Sequence, residues 1–114
     1  MKIERFEDII AWQKAKRLTE ETYEQMRGVR DPGFKDQIQR ASVSVMNNIA
    51  EGFERRSNKE FKNFLFIAKG SCGEVRSMLY IADSLKYIDK KQFDSVSALS
   101  VEISKMLSGL IKTL

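Results

Sequence analysis

The chain has 114 residues, 42% hydrophobic and 32% charged, a balance that fits one folded domain over residues 1–114 with one modest core. Twenty basic and 16 acidic side chains leave a formal charge of +4, which permits nucleic-acid or acidic partners without requiring them. Cys72 is the only cysteine and there is no histidine, which excludes an internal disulfide, most zinc sites, Cys/His nucleophile pairs and histidine acid–base chemistry.

A first helix is expected from about Phe6 to Arg27. Ile9, Trp12, Thr19, Tyr23 and Met26 share one face, broadened by Ala11, Ala15, Leu18 and Thr22. Asp31-Pro32-Gly33 is the one strong breaker, and Asp31 and Pro32 suit the cap and first position of a second helix, from about Pro32 to Arg55. Ser57 and Glu60 have capping-box spacing and start a third helix, reaching about Lys86. Its stripe runs through Phe61, Phe64, Leu65, Ala68, Cys72, Val75, Leu79 and Ala82. Cys72 lies on that stripe and reads as a small core residue. Asp89 and Gln92 form a second box before a fourth helix bearing Phe93, Val96, Leu99, Ile103, Met106, Leu110 and Leu114. Four amphipathic helices with short joints predict an all-α, up-down-up-down antiparallel four-helix bundle. The N-terminus mixes acids and bases, unlike a signal peptide, and no apolar run nears the ~18 residues of a membrane span, so the expected location is cytoplasmic.

Two helices carry more apolar surface than one core stripe needs. The second has one sector of Phe34, Ile38, Ala41, Val45 and Ile49, and another of Val43, Met46, Ala50 and Phe53. Together they cover roughly 200°, against about 100° for a core-facing stripe. On the third helix, Phe66, Gly70, Gly73, Ser77 and Tyr80 lie opposite the core stripe. Glycine inside a helix costs about 1 kcal/mol relative to alanine, so Gly70 and Gly73 suggest close approach by another helix. Val43, Met46, Ala50, Phe53, Phe66, Gly70, Gly73 and Tyr80 are therefore candidate contacts of a homo-oligomer.

Gln37, Arg40, Ser44, Asn48 and Glu51 form a polar row with spacings of 3, 4, 4 and 3. At about 100° per residue they fall within an arc of roughly 80°. Two structural readings stand side by side: a hydrated flank, or a network in which Arg40 pairs with Glu51 or Glu74 and the amides and hydroxyl satisfy neighbouring groups. A ligand-binding row is the third.

Lys62, Lys69 and Arg76 recur every seven residues on the third helix, and Arg55, Arg56 and Lys59 cluster at its start. Such a stripe suits phosphate groups, although Glu54, Glu60 and Glu74 dilute it. No phosphate loop or dinucleotide glycine pattern occurs, and the ferritin-like carboxylate site normally includes histidine. No enzymatic activity, cofactor or metal is expected.

The segment QIQRASVSVMNNIAEG resembles bacterial four-helix bundle proteins related to the protein encoded by intervening sequences in 23S ribosomal RNA genes. Phe6, Asp8, Trp12 and Gln13 match the opening Phe-x-Asp-Leu-x-x-Trp-Gln pattern. Gln37, Arg40, Ser44, Asn48, Ile49, Ala50, Glu51 and Gly52 match the central motif. Arg55-Arg56-Ser57, Glu60-Phe61, Phe64-Leu65, Gly70-Ser71 and Glu74 match the segment that follows. Ser42, Met46 and Cys72 depart from the usual residues. The resemblance implies a homopentamer of four-helix bundles; the number five comes from it alone. The resulting expectation is a non-enzymatic bundle binding RNA or another nucleic acid through its basic rows, or alternatively a protein-interaction scaffold.

Overall fold

The computed structural model describes residues 2–114 and contains four α-helices and, among the described residues, no strand. They are α1 (Ile10–Met26), α2 (Pro32–Phe53), α3 (Asn58–Ser84) and α4 (Lys90–Lys112).

Helix α1 starts four residues later than the apolar periodicity suggests. Phe6–Asp8 form a separate 3-10 turn, and Ile9 is extended (φ −76°, ψ 119°) with its side chain buried. The break lets Phe6 fold back onto Trp12, with ring centroids 5.1 Å apart and planes at 68°. Gln13 Nε2 donates to the Glu7 carbonyl at 2.9 Å and ties the turn to the helix. The buried face of α1 is Ala11, Ala15, Leu18, Thr22 and Met26; Trp12 and Thr19 sit half-buried beside it, and Tyr23 is exposed. The small residues face the core, which permits close packing and pushes Tyr23 outward.

The later helix starts follow their capping residues. Asp31 Oδ1 accepts from Phe34 N at 3.2 Å, with Pro32 opening α2, where its missing N–H leaves no bond unmade. Ser57 Oγ accepts from Glu60 N at 3.1 Å; the Glu60 carboxylate meets the Ser57 hydroxyl at 3.4 Å, so only half of that box forms. The Asp89–Gln92 box is complete, with bonds of 2.8 and 2.9 Å. Between α3 and α4, Lys86 takes a left-handed conformation (φ 60°). Tyr87 N then bonds to Ala82 O at 2.8 Å and Lys86 N to Asp83 O at 3.1 Å, a Schellman closure made without glycine. Tyr87 OH donates to the Asp31 carboxylate at 2.6 Å, and its ring packs edge-on against Phe34. Asp31 thus caps α2 and anchors the α3–α4 joint.

Each helix packs on its neighbours in the chain, and α1 also packs on α4. One core holds Leu18 and Met26 of α1, Ile38, Val45 and Ile49 of α2, Leu65, Cys72 and Leu79 of α3, and Val96, Ile103 and Leu107 of α4. Buried Thr22 donates to Leu18 O at 2.8 Å, and no buried side-chain polar atom among the described residues lacks a partner. Met46 and Phe53, from the second apolar sector of α2, are half-buried against this same core, and Val43 and Ala50 are half-buried too. Helix α2 uses much of its width within one chain because it packs on both α1 and α3.

The close helix approach lies at Gly52, not at Gly70 or Gly73. A Cβ on Gly52 would stand 2.5 Å from Phe64 Cβ and 3.1 Å from Phe61 Cδ1. A Cβ on Gly70 or Gly73 would meet nothing within 4 Å. No described helix of this chain closes on those two glycines.

Candidate nucleic-acid interface

Helix α3 positions the basic row. Successive members of Lys62, Lys69 and Arg76 are separated by roughly 10 Å along the axis, at 1.5 Å of rise per residue. All three are half-buried, and none has a carboxylate within ion-pair distance among the described residues. Half-burial covers the methylene stems while the charged heads remain accessible. Lys59 and Arg56 are exposed and also lack an acidic partner.

Arg55 departs from its expected role. Its Nη2 lies 2.7 Å from Glu51 Oε2, its Nη1 3.9 Å from Glu60 Oε1, and its guanidinium sits 4.8 Å above the Phe64 ring. That geometry makes Arg55 a clamp over the α2–α3 turn. The nearby acids are also drawn away from the row: Glu60 toward Arg55, and Glu74 toward Gln37 Nε2 at 3.5 Å.

The polar row divides along the α2–α3 seam. Ser44 and Ser71 share a 2.8 Å hydrogen bond between hydroxyls, and Asn48 Nδ2 donates to Ser44 O and Oγ at 2.8 and 2.9 Å. The Ser44–Ser71 and Gln37–Glu74 bonds join the two helices, while Asn48 braces Ser44 within α2. Arg40 pairs with Asp36 at 2.8 Å on its own helix, rather than with Glu51 or Glu74. The four-residue spacing places Asp36 within easy reach of an exposed arginine, and both side chains stay in water. Ser71 was not singled out as the partner of Ser44; its place in the Gly70-Ser71 match was the available signal.

Cys72 donates Sγ to Ser100 O at 3.0 Å inside the core. Burial pushes its thiol up to about 11, outweighing the nearby Arg76 charge, so it stays protonated at neutral pH. Among the described residues no group of three carboxylates or cysteines converges as a metal site. Among the described residues no helix is long and apolar enough to cross a membrane.

The model of the 23S rRNA-intervening sequence protein family matches residues 7–109. The chain belongs to that family. A solved structure of a protein of unknown function from the S23 ribosomal protein family, from Bacteroides thetaiotaomicron, is similar at 26% identity and a TM-score of 0.84. The likeness covers 90% of this chain and 98% of that one. No curated protein matches. Within this family member, several residues of the matched motifs have architectural tasks: Gln13 ties the opening turn, Gly52 admits Phe64, and Ser44 meets Ser71.

Proposed function

We propose that this family member is a non-enzymatic, cytoplasmic protein whose up-down-up-down bundles assemble as a homo-oligomer and bind RNA or another nucleic acid. Arg56, Lys59, Lys62, Lys69 and Arg76 make the phosphate contacts, with Arg55 bracing the turn behind them. The observation that carries the reading is the absence, among the described residues, of ion-pair partners along α3: the four cations of that helix are free for an external anion. Phosphate contacts release counterions, so these five give log–log salt slopes of roughly −3.5 to −4.5 per engaged subunit. The decisive test is binding to pooled cellular RNA at low salt. Saturable, salt-sensitive binding supports the reading, and no detectable binding removes it.

Self-assembly is supported by the outer face of α3. Phe66, Ile67, Tyr80, Ile81 and Leu85 are each at least half exposed in the single chain, and Gly70 and Gly73 leave open backbone between them. Exposed large apolar side chains at both ends of one helix favour association. Five copies is the number the family resemblance gives. Light scattering on the eluting protein tests it directly: a stable monomer at micromolar concentration removes the assembly, and a stable species of another size removes the pentamer. The same face is the specific support for the alternative, a scaffold presenting copies of one surface to a protein. A partner retained after ribonuclease treatment, with no RNA recovered, selects that alternative.

A further inference from the structure

A pocket of about 400 Å³ opens where α1 begins, α2 ends, α3 begins and α4 ends. Its floor is apolar, made by Ile9, Phe53, Phe61, Leu110 and Leu114. Its rim carries Lys2, Arg56 and the first turn of α3 at Ser57 and Asn58. Among the described residues neither Lys2 nor Arg56 has an acidic partner, whereas Arg55 on the same rim is committed to Glu51 and Glu60. Two free cations therefore stand beside an apolar recess of ordinary small-ligand size, and the adjacent helix start adds favourable potential for an anion.

We propose that this pocket binds a medium-chain acyl carboxylate, with its hydrocarbon on the floor and its head group at Lys2 and Arg56. A hydrocarbon needs no hydrogen bond and gains from burial against the floor. A nucleobase carries ring nitrogens and exocyclic groups that lose their water partners, and the floor residues offer none in return. A cationic or neutral amphiphile leaves the rim charge uncompensated. The site shares Arg56 with the nucleic-acid reading but does not use Lys59, Lys62, Lys69 or Arg76, so decanoate binding that survives the Lys62, Lys69 and Arg76 reversals tests it apart from that reading.

The test is an amide NMR titration of the full chain with sodium hexanoate, octanoate and decanoate below their micellar range. Decanoate should shift the amides of Ile9, Phe53, Asn58 and Leu110, and affinity should rise roughly fourfold per added methylene until the floor is filled. Sodium acetate should leave those amides unmoved. Arg56→Glu, at an exposed position that does not threaten folding, should weaken decanoate roughly tenfold, about 1.4 kcal/mol. An arm with anionic phospholipid vesicles separates the free acid from membrane lipid as the source of the chain. Vesicle binding without decanoate binding overturns the proposal, as does a flat chain-length series, an equal response to acetate, or unchanged decanoate affinity in Arg56→Glu.

Discussion

Helices α1 and α3 are both amphipathic and both carry several cations, yet they treat them differently. Every cation of α1 is paired: Lys14 with Glu102 at 3.2 Å, Lys16 with Glu20 at 2.8 Å, and Arg17 with Glu21 at 3.0 Å. Lys59, Lys62, Lys69 and Arg76 of α3 have no such partner. The cause lies in the local sequence. Four residues beyond Lys16 and Arg17 stand glutamates; four beyond Lys62, Lys69 and Arg76 stand Phe66, Gly73 and Tyr80. The net charges of the two helices are close, 0 for α1 and +1 for α3, whereas availability of charge separates them.

The most forceful way to break the comparison is charge reversal. Lys62→Glu, Lys69→Glu and Arg76→Glu together should lower RNA affinity by about 100-fold or more at low salt, whereas the charge-matched Lys14→Glu, Lys16→Glu and Arg17→Glu should change it by less than about threefold. Equal losses would show that net charge alone governs binding. Circular dichroism would verify that both variants keep their helices.

The glycines sharpen the contrast between seam and open face. Gly52→Ala should destabilise by about 1–3 kcal/mol in chemical denaturation, because its Cβ falls on Phe64. Gly73→Ala should stabilise the isolated chain by up to about 1 kcal/mol, since nothing lies within 4 Å. If Gly73→Ala instead weakens assembly in light scattering, another subunit approaches there.

Asp31 gives an effect of middle size and a pH signature. Its hydrogen bonds from Tyr87 and the Phe34 amide hold its carboxyl below the usual carboxylate range. A depressed folded pKa means that the contribution is complete above the unfolded value near 3.9 and is lost as pH falls through the folded value. The same bond raises the Tyr87 phenol, so its contribution is present below about pH 10 and lost as pH rises through the folded value. Asp31→Ala should lower the denaturation midpoint at neutral pH and flatten the acid limb of a stability–pH curve. The smallest expected effect is Arg17→Ala, which removes an exposed pair worth no more than about 0.5 kcal/mol and should vanish at high salt.

Much of the fold was legible where a local rule and a packing rule agreed. Asp31, Ser57 and Asp89 mark their helices because each side chain caps an otherwise unpaired backbone amide. The stripes of α3 and α4 became core because large apolar residues recur at helical spacing. The start of α1 was not legible, since Phe6 and Ile9 fit a helical stripe and only the Phe6–Trp12 contact and the Gln13 bond reveal the break. The end of α3 was legible to within two residues, but its closure on a left-handed Lys86 was not, because glycine is the usual sign there. Spacing located the α3 basic row, but only three-dimensional placement separated Arg55 from its free neighbours and turned Arg40 toward Asp36.

The central claim is that α3 presents free cations to nucleic-acid phosphates. The most direct measurement is the salt dependence of RNA binding by wild-type protein and the α3 triple reversal, followed by fluorescence anisotropy. The account predicts a wild-type log–log slope of roughly −3.5 to −4.5 per engaged subunit that becomes shallower than about −2 in the reversal, which leaves Arg56 and Lys59. A wild-type slope near zero, or an unchanged slope in the reversal, would contradict it.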